Sequence, residues 1–418
     1  MLINFRCENF RSMRDEVTLS MLKGETRSHP NHVYDFEDLG VLKSAVIFGA
    51  NASGKSNIFK AINFSRKIIL GEPERAYQSY YRLEQGFEKK ATTFEYEMTV
   101  DGKPYRYGFE IILAEDEIKK EWLHRISLTG EDFLLFSRVG DVIVEGSLSE
   151  KEKSVLDKNM KRYGGVSVLA ICDLLRNRKK NYEVIEESSR VFDWFEKNLV
   201  PIGVNNTLRS HYEYTELEFQ ELGKVLRAFD VGIVEVGFTK WIDDLWINAD
   251  HQFGKREKSG DFVFSDVATE KKIGDRKQML VSRQGKNKIE MPRVDESDGT
   301  KRLFDLAPIL IKDGDDEKTY VLDELDRSLH PLVVYEFVKW FLAKKFSSPK
   351  QLITTTHQIL LMDQELLRKD EIWFVEKKND GHSELFSLEE YNERSDKKID
   401  KSYLGGRYGA IPKIHLRE

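Results

Sequence analysis

A chain of 418 residues exceeds what one compact core usually supports, so two structural units are expected. Its 66 basic and 72 acidic residues leave a net charge of -6, which argues against a whole-surface nucleic-acid coat and leaves only a local basic patch open. Cys7 and Cys172 lack metal-ligand spacing and read as free thiols, and no run nears the roughly 18 apolar residues of a membrane span, so a cytoplasmic protein with no membrane partner is expected.

Residues 1 to 20 alternate apolar and polar around Glu8-Asn9, which predicts strand, turn, strand. Ser44 to Phe48 is a short apolar strand leading into Gly49, and Ile58, Phe59, Ile62 and Phe64 then suit an amphipathic helix. Alternation from Thr93 to Ile112 flanks Asp101-Gly102, a hairpin signal, and strand-like sequence runs on through Val144. Composition changes near Ser147. Residues 150 to 230 are rich in Glu, Lys and Leu at helical spacing, as in Val191, Trp194, Phe195 and Leu199. Residues 231 to 291 are polar and strand-like, with Trp241, Trp246 and a Lys/Arg-rich stretch. Without sustained heptads, a long coiled-coil arm is not expected. Strand and helix alternate again from about 295 to 377, and the tail carries Gly405-Gly406-Arg407-Tyr408-Gly409.

The strongest local signal is Gly49-Ala50-Asn51-Ala52-Ser53-Gly54-Lys55-Ser56, a full match to the phosphate-loop pattern between a strand and a helix. Glycines let the backbone wrap an anion so that its N–H groups point inward. Lys55 would supply a point charge to the β and γ phosphates of ATP, and Ser56 a hydroxyl ligand to Mg²⁺. Asn51, Ser53 and Asn57 complete the expected nucleotide-binding set with Gly49 and Gly54. A second signal is Thr319 to Glu324, an apolar strand ending in two acids. Asp323 is expected to hold Mg²⁺, and Glu324 to polarise the attacking water. A third is Gln351 to His357, a β-branched strand ending in His357, expected to face the γ-phosphate and sense nucleotide state.

Phosphate loop, acidic strand end and His357 in this order resemble ABC-type ATPases of the SMC, RecF and OLD branch. Glu296-Ser297-Asp298-Gly299-Thr300, before an apolar helix read from Leu303, is similar to the ABC signature, with Asp298 where a second glycine is common. Asp326 fits the D-loop, and Leu404 to Pro412 resembles the tail of stand-alone, OLD-like ATPases of bacterial defence operons. The family's Q-loop has only Gln85 as a weak candidate, which reads better as a solvated loop residue before a strand. The resemblance implies an α/β fold: an ABC/RecA-like P-loop ATPase head, a mixed sheet with flanking helices plus N-terminal antiparallel strands, and a mainly helical insertion lobe. The expected divisions are residues 1–145 and 291–418 for the head and 146–290 for the lobe.

In that family the signature meets the γ-phosphate held by the opposite subunit. One phosphate loop and one signature per chain therefore imply a homodimer or higher homo-oligomer sandwiching ATP, with Ser297, Gly299 and Asp326 among the nucleotide contacts. Three functions compete. A transporter head fits least, given the large insertion. A DNA-repair ATPase of the RecF or SMC kind is the alternative to the preferred reading, an anti-phage ATPase acting as sensor or scaffold. The chain runs six residues past Pro412, so a nuclease or toxin effector is expected on a separate polypeptide. DNA contact stays open. Two basic clusters, Arg176 to Lys180 and Lys271 to Lys288, suit phosphate-backbone binding, or equally a solvated loop balanced by nearby acids.

Overall fold

The computed structural model describes residues 1–36, 39–72, 77–154, 183–204, 216–229, 233–240, 245–247, 249–256, 262–268, 277–284, 288–292, 295–311, 316–391 and 398–411. The chain forms two compact units: Met1–Asn206, Gly314–Asp326 and Val334–Glu418 make the first, Thr207–Asp313 and Arg327–Val333 the second.

Unit 1 opens with the antiparallel pair β1 (Leu2–Glu8) and β2 (Val17–Ser20), then the ribbon β3 (Val33–Phe36) and β4 (Leu39–Leu42). The strand β5 (Ser44–Phe48) leads to helix α1 (Lys55–Ile69). Five strands follow: β6 (Thr92–Val100), β7 (Lys103–Ile112), β8 (Glu117–Arg125), β9 (Phe133–Val139) and β10 (Val142–Gly146). They join the first two in a seven-stranded antiparallel sheet of order β10-β9-β8-β7-β6-β1-β2. Asp101 and Gly102 turn β6 into β7 with φ of 50° and 78°, the left-handed pair that a two-residue hairpin loop requires.

The second sheet of this unit adds β11 (Leu199–Ile202), β18 (Lys318–Leu322), β19 (Lys350–Thr355), β20 (Ile372–Lys377) and β21 (Ser383–Ser387), in the order β11-β18-β19-β5-β20-β21. Every neighbouring pair is parallel except the hairpin β20–β21. All residues of β5 and β19 are buried, as expected of central parallel strands covered on both faces. Buried Gln351 ties this sheet to the first strand. Its amide donates to the Leu2 and Leu42 carbonyls, and its oxygen accepts from Leu2 N–H and the Thr319 hydroxyl.

Helix α1 fills the space between the sheets. Phe64 packs 5.5 Å from Phe10 and 5.8 Å from Phe94, and the hydroxyls of Ser65 and Tyr96 share a hydrogen bond of 2.6 Å. The same core includes Ile47, Val321 and Ile353 of the parallel sheet. Each such large side chain contributes about 2–3 kcal/mol on burial.

Helix α2 (Glu183–Asp193) and the π-helical turn Trp194–Asn198 lead into β11. Val191, Trp194, Phe195 and Leu199 are buried in the core just described. The composition change near residue 146 thus does not mark the edge of unit 1, because these helically spaced apolar residues bury into the head. Helix α5 (Pro331–Ala343) buries Phe337, Val338 and Phe341, and the short α6 (Ile399–Leu404) closes the tail.

Unit 2 contains α3 (Glu216–Ala228), β12 (Ile233–Lys240), β13 (Leu245–Ile247), β14 (Ala249–Arg256), β15 (Phe262–Ala268), β16 (Lys277–Gln284), β17 (Lys288–Pro292) and α4 (Asp298–Ile311). The strands form two antiparallel three-stranded sheets, β12-β16-β17 and β13-β14-β15, in agreement with the strand-like reading of 231–291. Helices α3 and α4 bury Leu222, Val225, Leu226, Leu303, Leu306 and Leu310. The lobe therefore holds strand as well as helix. The side chains of Trp241, Trp246, Cys172 and both basic clusters lie outside the described residues. No helix among the described residues is long and apolar enough to cross a membrane.

Candidate functional site

β5 delivers the chain to Gly49 at the carboxyl edge of the parallel sheet, where open α/β sheets bind ligands. A Cβ on Gly49 would lie 2.5 Å from the Val375 carbonyl oxygen on β20. Gly54, at φ 112°, caps α1 and would press a Cβ into the side chains of Ser12 and Ser383. Between these glycines the backbone closes into a loop whose last turn is the N-terminus of α1, a ready anion cradle.

The Lys55 ammonium lies along this loop, donating to the carbonyls of Gly49 at 2.6 Å and Ala50 at 2.9 Å. Burial pulls its pKa down to about 8, against the opposing pull of Asp326, Glu324 and Asp323. The buried Ser53 hydroxyl has no hydrogen-bond partner, while Asn51 is exposed and Ser56 half-buried. Asn57 donates through Nδ2 to Ser12 Oγ at 2.6 Å.

β19 lies between β5 and β18, so the ends of all three strands converge. Thr355, the last residue of β19, donates its hydroxyl to Asp323 Oδ1 at 2.8 Å and accepts the Glu324 N–H at 2.8 Å. That one side chain orients both acids. Glu324 sits at φ 50°, a left-handed conformation uncommon for a residue with a Cβ and held here by the Thr355 bond. Asp326 accepts from the Thr356 hydroxyl at 2.8 Å and from the His357 N–H at 3.2 Å, which ties the turn after β18 to the turn after β19. His357 is exposed at the cleft; partial desolvation first, and then the nearby Lys55 cation, lower its pKa.

Of the residues expected from sequence, Asn51, Ser53, Gly54, Lys55, Ser56, Asn57, Glu324 and His357 line one cleft, together with Lys60. Gly49 lines an adjoining hollow with His357 and Tyr403. Asp323 lies buried behind the cleft on Thr355, and Asp326 faces the backbone at His357 rather than the cleft. Gln85 is exposed and is not among the lining residues. In the tail, Tyr403 and Tyr408 stack on Phe374 at 5.6 Å and 5.3 Å, so this segment packs against β20.

Ser297 and Gly299 belong to unit 2. There the structure corrects the sequence reading: the helix starts at Asp298, not Leu303. Ser297 Oγ accepts the Thr300 N–H at 3.2 Å, so a polar cap starts the helix before its apolar face begins. A Cβ on Gly299 would lie 2.6 Å from the Ser328 carbonyl oxygen, which requires glycine there. Sequence reasoning missed Thr355, Ser12, Ser383 and Lys60; for Thr355 the only available signal was the run Thr354-Thr355-Thr356 before His357.

Residues 44–158 and 183–363 match the family described as "AAA domain, putative AbiEii toxin, Type IV TA system". The chain belongs to this family. The match spans the phosphate loop, the acidic strand end and His357, segments that meet at this cleft. No curated protein matches the chain. Among solved structures it is similar to the SMC head domain from Thermotoga maritima, with 16% identity, 92% of this chain and 98% of that one covered, and a TM-score of 0.42. It is also similar to an SmcHead bound to the C-winged helix domain of ScpA, with 14% identity, 92% and 97% coverage and a TM-score of 0.43. For a Smc head with an extended coiled coil bound to the C-terminal domain of ScpA, from Pyrococcus furiosus, the values are 13%, 97%, 98% and 0.37.

The family's site suits a nucleotide phosphate chain on its own chemistry. The Lys55 cation rests on carbonyls that a phosphate would replace, and the Ser53 hydroxyl is buried without a partner. Asp323 and Glu324, just past the end of β18, carry carboxylates, oxygen donors of the kind Mg²⁺ takes.

Proposed function

We propose that this ATPase domain closes on ATP with a second copy of itself, and that the ATP state controls a separately encoded nuclease or toxin in anti-phage defence. The convergence of Lys55, Glu324 and His357 on one cleft carries the ATPase part of this reading. Lys55 turns from the loop carbonyls to the β and γ phosphates, a short swing for a side chain already lying along the loop. Backbone N–H groups from Asn51 to Asn57 take the phosphate oxygens. Ser56 and Asp323 would hold Mg²⁺, which when bound neutralises charge on the phosphates.

Glu324, oriented through Thr355, polarises the attacking water, and positioning of this kind dominates phosphoryl transfer. His357, whose pKa in the nucleotide-free chain is lowered by desolvation and by Lys55, donates one ring N–H toward the γ-phosphate. Ser297 and Gly299 of a second copy complete the site, which makes ATP the adhesive of the dimer and hydrolysis its release. What suggests a toxin–antitoxin setting is the family description, "putative AbiEii toxin, Type IV TA system".

Glu324→Gln keeps the shape of the side chain and removes its basicity. With ATP it should lose about 100-fold in turnover and accumulate as a dimer, measured by phosphate release and by light scattering after size-exclusion chromatography. Unchanged hydrolysis would remove Glu324 from the chemistry. A mass that does not respond to ATP would remove the sandwich dimer.

A further inference from the structure

We propose that Ser383 is a positioning residue for nucleotide binding, acting through the phosphate loop from the hairpin β20–β21. Its hydroxyl donates to the Ser53 carbonyl oxygen at 2.5 Å and accepts from the Ser12 hydroxyl at 2.8 Å, and its N–H donates to the Ser12 carbonyl at 2.7 Å. Ser12 Oγ in turn accepts from Asn57 Nδ2 at 2.6 Å. Three chain segments therefore meet at one point: the turn after β1, the phosphate loop with the first turn of α1, and the hairpin. Gly54 lies directly against both serines, with a Cβ there only 2.7 Å from Ser12 Oγ.

The junction holds the loop from both ends. Ser383 fixes the carbonyl of Ser53, and Ser12 fixes Asn57 on the other side of Gly54 and Lys55. The peptide N–H groups between them are those an anion would meet, so their directions are set by two side chains outside the motif. Arg14 bridges the same two arms through Asp380 at 2.6 Å, and Tyr81 OH reaches the Asp380 carbonyl at 3.1 Å. Neither serine lines the cleft. Their effect is on loop geometry, so they act on affinity for the phosphate chain and leave Glu324 and His357 untouched. This inference rests on the nucleotide reading of the cleft.

Ser383→Ala, Ser12→Ala and the double variant are titrated with a fluorescent ATP analogue, and ATP turnover and nucleotide-free thermal midpoints are recorded. Each single change should raise Kd and KM about five-fold, the worth of one hydrogen bond, with kcat unchanged and only a small drop in the nucleotide-free midpoint. The double variant should be little worse than either single one, because the two hydroxyls act as a unit. An unaltered Kd in Ser383→Ala overturns the proposal. So does a loss of affinity that only tracks a lower midpoint, which marks a structural role. If Ser383→Ala does not fold, Ser12→Ala carries the same expectation and the same refutation. Folded wild-type protein that binds ATP no better than Lys55→Ala sinks the nucleotide reading itself, a result distinct from a selective failure of the serine variants.

Discussion

The two sheets of unit 1 grip the same helix, α1, and differ in where their polar groups end up. In the parallel sheet, β5, β18 and β19 run the same way, so Gly49, Asp323 and His357 follow strand ends at a common edge. In the antiparallel sheet, neighbouring strands end at opposite edges and polar side chains pair across the strands. Glu97 accepts from Asn4, Arg6 and Arg106, Trp122 donates to Glu95, and Tyr107 donates to Glu121. Parallel order gathers chemistry at one edge, whereas antiparallel order satisfies it locally. The parallel sheet should therefore answer to substitutions in nucleotide handling, and the antiparallel sheet in stability.

The largest effect should come from Lys55→Ala. It removes the ammonium that lies along the loop and should weaken ATP binding about 1000-fold, on the order of 4 kcal/mol, measured by calorimetric titration. The thermal midpoint without nucleotide should hold or rise, since a buried ammonium with a lowered pKa costs stability. Retained tight binding would break the assignment of the parallel edge. Phe94→Ala probes the other sheet. Phe94 touches Phe10, Phe64 and Phe109 at ring separations of 5.4, 5.8 and 5.4 Å, and its loss should cost about 3 kcal/mol in denaturant unfolding. ATP affinity of the remaining folded protein should stay near wild type. A matching loss of affinity would mean that the antiparallel sheet sets the loop as well as the core.

The same contrast governs what the sequence reveals. Phosphate loop, acidic strand end and His357 are legible because each is a short local pattern. The hairpin at Asp101-Gly102 is legible for the same reason. β11 is not: Leu199-Val200-Pro201-Ile202 is four residues with an internal proline, tolerated because, among the described residues, this strand lies at the sheet edge and pairs with β18 alone. Ser383 bonds a residue 330 positions away, and no spacing rule reaches that far. The early start of α4 was hidden because its cap is polar, and the apolar pattern begins only at Leu303.

The pH dependence is smaller and separates affinity from stability. The Lys55 pKa in the folded, nucleotide-free chain is about 8, below the 10.5 of an exposed lysine. Between those values the unfolded chain binds more protons, so this group's contribution to stability rises with pH from about 8 to 10.5. ATP affinity moves the opposite way, because the phosphates need the protonated amine. From pH 7 to pH 9 the dissociation constant should rise about ten-fold, about 1.4 kcal/mol. A flat profile would show that Lys55 keeps its proton over that range because the three acids outweigh its burial.

The finest distinction pairs two buried hydroxyls, one from each sheet. Thr355→Val removes the group that orients Asp323 and Glu324, and Tyr96→Phe removes the group bonded to Ser65 on α1. Each leaves partner atoms unsatisfied and should cost about 1–2 kcal/mol of stability, so denaturation alone would not tell them apart. Turnover would. Without the Thr355 hydroxyl the left-handed Glu324 loses the bond that holds its backbone, and kcat should fall by about ten-fold with ATP affinity little changed. Tyr96→Phe should leave kcat where it is, since α1 remains packed by Phe64 and Ile62. Equal losses of kcat in both variants would mean that α1 transmits strain from the antiparallel sheet to the catalytic edge. In that case the chemistry would not be confined to the ends of the parallel strands.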